Sequence, residues 1–250
     1  MTPRDIGKTL VVIPTYNERE SLPIIVAGVR TAEPKVDILI ADDNSPDGTG
    51  EVAEGLRNND SGIFVLHRAT KAGLGAAYLD AFGWAKANGY IVVVEMDADG
   101  SHRPVDLTII LDALTYSDVV LGSRWVKQGK VVNWPLSRKL LSRGGNLYTK
   151  IWLGIPIQDA TGGFRAYRMS ALDQMDVDHV ASQGYCFQVD MAWRAVKAEL
   201  RITEVPITFV ERELGESKMD GSIVKEALWR VTQWGIEKRL SDLRRVFNRS

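Results

Sequence analysis

The sequence predicts an α/β fold: a mostly parallel sheet with helices on both faces, followed by a C-terminal helical appendage. Three observations predict it. Short β-branched apolar runs recur through the first half, each is followed by a polar cluster and a helix signal, and the runs are apolar throughout rather than alternating. Strands apolar on both faces belong to a parallel sheet covered on both sides. Leu10-Val11-Val12-Ile13 is the first run, ending in Pro14-Thr15-Tyr16-Asn17. Asn17 is placed to cap the next helix, with Glu20 three residues on as its reciprocal partner. Ile38-Leu39-Ile40-Ala41 is the second run and breaks into the turn-rich Asp42-Asp43-Asn44-Ser45-Pro46-Asp47-Gly48. Ile63-Phe64-Val65-Leu66 follows, then His67-Arg68 and a helix beginning near Gly73. Ile91-Val92-Val93-Val94 stops at Asp97-Ala98-Asp99-Gly100, and Pro104 opens a helix carrying Leu107, Ile110, Leu111 and Leu114. Val119-Val120-Leu121 ends at Gly122-Ser123-Arg124.

The second half is less regular. Pro135 precedes an amphipathic helix with Leu136, Leu140, Leu147 and Ile151 at helical spacing and Arg138, Lys139 and Arg143 between them. Residues 159–167 are Gly-rich and read as a loop. Val205 to Val210 reads as one strand, which Pro206 confines to an edge or a strand start. Ser222 is placed to cap a final helix with Ile223, Ala227, Leu228, Val231 and Trp234 on one face. No internal repeat or linker interrupts the chain. The expected organisation is one domain over residues 1–220 and a helical segment over 221–250, packed on it or lying at a membrane surface.

Composition narrows the function. The 250 residues are 45% hydrophobic and 25% charged, an ordinary globular mix. Mean hydropathy is -0.11, and the longest stretch without Asp, Glu, Lys or Arg runs only from His179 to Val189. A membrane span needs about 20 mostly apolar residues, so none is expected. The first residues lack the apolar core of a secretory signal. The lone Cys186 excludes an internal disulfide and a Cys-based zinc site. An intracellular protein is expected.

The net charge of -1 conceals a segregation. Seven acids and one base lie between Glu33 and Glu54, whereas Val119 to Gln158 holds seven bases and no acid. A focused positive field of that kind suits an anionic ligand. The basic block Lys238, Arg239, Arg244, Arg245 and Arg249 reads equally well as a solvated face.

In parallel sheets ligands bind beyond the carboxyl ends of the strands. Here those ends carry Tyr16-Asn17, Asp42-Asp43, His67-Arg68, Asp97 with Asp99, and Ser123-Arg124. Asp97-Ala98-Asp99 is the sharpest motif. Two carboxylates one residue apart at a strand end can both reach a hard cation, and Mg2+ or Mn2+ so held shares its remaining sites with water and substrate phosphates. An Asp-rich turn capping the helix at Pro104 is the plainer alternative.

Ile13-Pro14-Thr15-Tyr16-Asn17-Glu18, Asp42 to Thr49, Lys71-Ala72-Gly73-Leu74-Gly75, Asp97-Ala98-Asp99, Gly122-Ser123-Arg124 and Gly162-Gly163-Phe164-Arg165 succeed one another like the blocks of one family. The chain resembles the dolichol- and polyprenol-phosphate mannose synthases, inverting glycosyltransferases of GT-A fold, from Leu10 to about Lys218. The resemblance implies mannose transfer from GDP-mannose to a polyprenyl monophosphate with inversion, UDP-glucose being the alternative donor. It assigns Pro14, Tyr16, Glu18, Lys71 and one of Asp42 and Asp43 to the nucleotide. Asp97 and Asp99 match its metal pair. A family glutamine that often follows is Ser101 here, so the third ligand is Ser101 or water. Arg124, Arg138 and Ser142 match groups near the acceptor phosphate and sugar, with Arg143 beside them, and Arg212 and Lys218 match a late basic motif that closes over the phosphates.

Residue chemistry converges on part of this. Two anionic reactants repel, and a cation with Arg124, Arg138 and Arg143 would neutralise them. Phosphate's second pKa near 6 leaves the acceptor oxygen ionised at neutral pH, so no protein base is required; Asp190 is the residue to suspect if one is. A polyprenyl tail stays in the bilayer, so the expected location is cytoplasmic, peripherally on the inner face of the membrane. The Leu136–Leu153 helix has the composition of an interfacial element, although a core helix with solvated bases fits the same composition. The segment from Leu228 to Phe247 suits a membrane-protein anchor. Nucleic acid is not an expected partner. Rival classes are a metal-dependent nucleotidyltransferase and a non-catalytic lipid-phosphate-binding module. An NAD-type fingerprint at Gly73-Leu74-Gly75 fails because Tyr78 replaces the third small residue.

Overall fold

A computed structural model of the protein describes residues 5–177, 180, 185–211 and 228–240. All five apolar runs form strands: β1 (Thr9–Thr15), β2 (Asp37–Asp42), β3 (Ile63–His67), β4 (Val92–Glu95) and β5 (Val119–Ser123). Between them lie α1 (Leu22–Ala32), α2 (Thr49–Asn59), α3 (Leu74–Ala87) and α4 (Leu107–Ala113), the last entered through a tight turn at Pro104–Asp106. Then come β6 (Lys130–Val132), α5 (Leu136–Leu153), β7 (Arg165–Arg168), α6 (Met169–Gln174), α7 (Tyr185–Lys197), β8 (Ile202–Pro206) and β9 (Thr208–Val210). A helix over residues 228–240, α8, ends the described chain.

Seven strands make one sheet in the order β3-β2-β1-β4-β7-β5-β8, and β6 pairs with β9 in a second, two-stranded sheet. Alternate residues of β1 explain the layering, since successive side chains of a strand point to opposite faces. Leu10 and Val12 pack with Tyr78 and Phe82 of α3 and Phe187 of α7. Val11 and Ile13 pack with Leu22 and Val26 of α1 and Leu107 of α4. Both faces are covered, which is why the strands read as unbroken apolar runs.

Three expectations are corrected. Asn17 does not cap α1. It takes a positive φ of 60°, a conformation Asn tolerates, and the helix starts five residues later after Ser21, whose hydroxyl donates to the Glu18 carboxylate at 2.8 Å. Residues 159–167 are not all loop, because β7 lies in mid-sheet, antiparallel to both β4 and β5. Residues 205–210 are not one strand. Pro206 has no N–H to extend the ladder, and after Ile207 the chain leaves β5 to pair with β6. Ser222 and the start of the final helix lie outside the described residues, as does the expected boundary at 220.

β8 is an edge strand, as Pro206 predicts. Among the described residues no helix is long and apolar enough to cross a membrane. The chain leaves β1 through α1 toward β2, yet β4 lies on β1's other side. That reversal of strand order opens a crevice beyond the carboxyl ends of β1 and β4.

Candidate active site

The β1 and β2 ends form one wall of the crevice. Asp42, buried at the end of β2, accepts hydrogen bonds from the Thr15 hydroxyl at 2.9 Å, the Ser45 hydroxyl at 2.6 Å and the Ser45 amide at 3.1 Å. It therefore shapes the loop that follows it, helped by Asn44 at φ 54°. Asp43 is ion-paired with Arg68, whose Nε also donates to Asp80 at 2.8 Å. Burial pushes the Asp43 carboxyl above its usual range, against the pull of Arg68. Just past β1, Lys71 places its ammonium 3.9 Å above the Tyr16 ring. Glu18 accepts from Ser21, and its backbone N–H donates to Thr49 Oγ1 at 3.0 Å. Pro14 is half-buried within β1, in register with Ala41 of β2.

Past β4 the chain turns through Asp97, Ala98 and Asp99. Ala98 is buried while both carboxylates are half-exposed. His102 fixes the turn: its Nδ1 accepts the Asp97 backbone N–H at 3.0 Å, and its ring is buried against Phe164 at 5.0 Å and Phe209 at 5.5 Å. Asp99 Oδ1 accepts from the Ser101 amide at 3.0 Å. The Ser101 hydroxyl is buried with no hydrogen-bond partner. Behind the turn, Glu95 is fully buried, accepts from Gln188 Nε2 at 2.9 Å, and stands in register with Arg165. Burial pushes its carboxyl up to about 7, with Arg165 and Gln188 opposing.

These residues suit a hard divalent cation. Two half-exposed carboxylates and a buried, unsatisfied hydroxyl are oxygen donors, and among the described residues no three His, Cys, Asp or Glu side chains cluster to make a closed protein cage. A cation held there would take its other ligands from water and phosphate.

The third wall is basic and aromatic. Arg124, buried after β5, grips Asp159 with its Nε at 2.7 Å and one Nη at 2.6 Å, and reaches Thr161 at 2.8 Å. Burial would raise the Asp159 carboxyl, but Arg124 holds it below its usual range. Close packing requires glycine opposite: a Cβ on Gly129 would sit 2.5 Å from the Ser123 carbonyl oxygen. Arg138 is ion-paired with Glu211 and lies 4.3 Å over the Trp134 ring. Arg143 lies 4.7 Å over Trp125, whose indole N–H donates to Ser142 at 3.3 Å. The β6–β9 pair carries Trp134 and Phe209 to this wall, their rings 5.3 Å apart.

The structure thus brings Tyr16, Lys71, Asp42 and Asp43 to one side, Asp97, Asp99 and Ser101 to the β4 mouth, and Arg138, Ser142 and Arg143 to α5. Arg124 is engaged by Asp159 and Thr161, and its guanidinium lies 5.4 Å from the Trp134 ring on which Arg138 also lies. Asp190 accepts from Arg194 one turn on within α7, at 2.9 Å. Arg212 and Lys218 lie outside the described residues. Sequence reasoning missed Glu95, His102, Asp159 and the role of Arg165. Arg165, fully buried, donates to the carbonyls of Ala160, Gly162 and Gln188, each at 2.7 Å. Only its place after Gly162-Gly163-Phe164 hinted at it.

Comparison with known proteins bears on this arrangement. Residues 10–176 match glycosyl transferase family 2. The chain is 52% identical, over 98% of its length and 93% of the relative's, to a polyprenol monophosphomannose synthase of Mycolicibacterium smegmatis. It is 53% identical, over 95% of its length and 98% of the relative's, to an undecaprenyl-phosphate mannosyltransferase of Micrococcus luteus. Its fold is similar to that of glucosyl-3-phosphoglycerate synthase from Mycobacterium tuberculosis, solved with Mn2+, UDP-glucose and phosphoglyceric acid, with a TM-score of 0.66, 17% identity, and coverage of 92% of this chain and 80% of that one. A mannosyltransferase from Pyrobaculum calidifontis in complex with GDP-Man and Mn2+ superposes with a TM-score of 0.60 and 17% identity, over 96% of this chain and 68% of that one.

Proposed function

The chain belongs to glycosyl transferase family 2, and from that membership we propose that it transfers mannose from GDP-mannose to a polyprenyl monophosphate, inverting the anomeric carbon. The observation that carries the acceptor and the sugar is the near-full-length likeness to two polyprenyl-phosphate mannosyltransferases. The crevice supports a reaction between two anions: acids and a hydroxyl at the β4 mouth, arginines on α5. Asp97 and Asp99, with the Ser101 hydroxyl, are the residues that would hold Mg2+ or Mn2+. When bound, such a cation offsets charge building on the departing diphosphate. Tyr16 and Lys71 flank the nucleotide's place, and Asp42 keeps the loop beside it in shape.

Arg138 and Arg143 orient the acceptor phosphate, each with a planar guanidinium already aligned on an indole. The acceptor oxygen is ionised at neutral pH and attacks without help from a protein base. The Asp190–Arg194 pair supports that reading, since it engages the carboxylate that was the candidate base. Positioning and electrostatics then carry catalysis. A single displacement gives a β-linked mannosyl phosphate from an α-linked donor.

The test is an incubation of purified protein with polyprenyl phosphate, Mg2+ and sugar-labelled GDP-mannose or UDP-glucose. Label entering the lipid fraction from GDP-mannose alone is the expected result. Transfer from UDP-glucose instead, or label recovered in a new nucleotide sugar, overturns the proposal.

A further inference from the structure

Helix α5 divides at a pair of glycines. Leu136 to Gly145 include no buried residue, and the apolar stripe there lies in solvent, with Leu136 and Leu140 72% and 63% exposed. Burial begins at Asn146 and continues with Thr149 and Leu153. The second part is also braced by α8: the Tyr148 hydroxyl lies 2.6 Å from Thr232 Oγ1, and Lys238 Nζ donates to the Leu153 carbonyl at 3.2 Å. Gly144 and Gly145 stand between the two parts. Neither takes a positive φ, and among the described residues nothing lies within 4 Å of where a Cβ would sit. Neither packing nor backbone conformation requires glycine there, and glycine is the weakest helix former after proline. Arg138, Ser142 and Arg143, the acceptor groups on α5, all lie on the unburied side of that weak point.

Asn146 spans the break. Arg138, Ser142 and Asn146 stand on successive turns of one row of the helix. The Asn146 side chain is buried, and its Oδ1 accepts the Ala160 N–H at 2.8 Å, which fixes the orientation of the amide. Its Nδ2 donates to the Ser142 carbonyl at 3.0 Å, Thr161 Oγ1 at 3.2 Å and Asp159 Oδ1 at 3.3 Å. The first of these bonds staples the helix across both glycines. The other two end on the same atoms that one Nη of Arg124 holds, at 2.8 and 2.6 Å. The loop bearing those atoms is itself fixed. Glu204 of β8 accepts from the Gln158 and Asp159 amides at 2.8 and 2.9 Å, and Arg165 of β7 holds the Ala160 carbonyl at 2.7 Å. A buried amide paired at both ends is a rigid point in such a network.

We propose that Asn146 is a positioning residue for the transfer: it holds the row bearing Arg138 and Ser142 in place across the Gly144-Gly145 break, in register with Arg124. Two arms that close on one phosphate, Arg124 from β5 and the row on α5, then take their positions from the same two oxygen atoms. The proposal rests on the phosphate acceptor argued above. It gives the bond to the Ser142 carbonyl a use that docking of the helix alone would not need.

Steady-state kinetics on the full chain, with GDP-mannose, Mg2+ and a short, water-soluble prenyl phosphate, test this. Asn146→Ala should raise KM for the prenyl phosphate about tenfold or more, within what an ångström of misplacement can cost, and leave KM for GDP-mannose within about twofold. Adding Gly144→Ala/Gly145→Ala should recover at least about threefold of the lost acceptor KM, because a stiffer helix carries the bracing of its second part across the break. KM does not depend on the fraction of enzyme that is folded, so lost stability alone would lower the maximal rate and leave both KM values in place. If Asn146→Ala yields no folded protein, Asn146→Ser, whose hydroxyl still bonds the carbonyl one turn back, reads the same ratio. Three results overturn the inference: an unchanged acceptor KM, equal rises in both KM values, or an alanine pair that restores the melting temperature but not the acceptor KM. No transfer by the wild-type chain overturns the proposed activity and takes this inference with it.

Discussion

Asp159 shows how a residue with no motif of its own comes to govern a site. It is fully buried, takes two guanidinium contacts and the backbone N–H of Arg124, and accepts from Asn146 at 3.3 Å. Asp159→Asn leaves Arg124 buried beside a neutral partner, and breaking a buried pair from one side costs about 3–5 kcal/mol. The pH dependence has a definite sign. The Asp159 carboxyl titrates below its unfolded value near 3.9, so its contribution is present above that pH and is lost as pH falls through the folded value. Urea titrations across acid pH check this: Asp159→Asn should be less stable at neutral pH and flatten the acid slope. Asp97 and Asp99 behave oppositely, being half-exposed and outside the core. Asp97→Asn and Asp99→Asn should each lower kcat at least about a hundredfold, the loss typical of one transition-state charge contact, while leaving the melting temperature within a degree or two. A variant that keeps its rate refutes their assignment. At this scale the Asp-x-Asp pair was legible because its chemistry is local. Asp159 was not, because its partner is 35 residues away and nothing about a lone Asp announces burial.

Among the elements, β7 was the one the sequence concealed. Arg165-Ala166-Tyr167-Arg168 follows two glycines and carries an arginine at each end, a pattern that reads as loop. It is a central strand because Arg165 is satisfied internally, tying the carbonyls of Ala160, Gly162 and Gln188 beneath the crevice. Arg165→Met removes those donors and takes the opposing cation away from the buried Glu95. A loss of at least about 3 kcal/mol is expected, since each buried acceptor left unpaired costs about 1–3 kcal/mol, and equilibrium unfolding measures it. Unchanged stability would mean the loop carbonyls find other donors. The strand β4 and helix α5 were legible almost to the residue, one from its β-branched run and the other from Pro135 and its leucine spacing. Which face of α5 is buried could not be read, because apolar spacing has the same period for a core helix and an interfacial one.

For the molecule as a whole, the crevice lies where sheet order reverses, and three segments far apart in sequence close it. Ligands that engage all three should stabilise the folded state by linkage, about 2.7 kcal/mol at a hundredfold excess over Kd. For a chain of this size that is roughly 5–10 °C in melting temperature. Thermal scans with GDP and Mn2+ together should show such a shift, and Mn2+ alone should show little, because two carboxylates bind a hard cation weakly without phosphate. A full shift with Mn2+ alone would contradict the shared-ligand site. The amino-acid order by itself determined the α/β class, five strands, the acidic and basic segregation and the Asp97–Asp99 pair, since each rests on neighbours within a turn or a strand. Only the tertiary structure decided the strand order, the reversed β7, the Arg124–Asp159 clasp and the exposure of the α5 stripe. Those depend on contacts between residues distant along the chain, whose burial is set by packing and leaves no local periodicity to read.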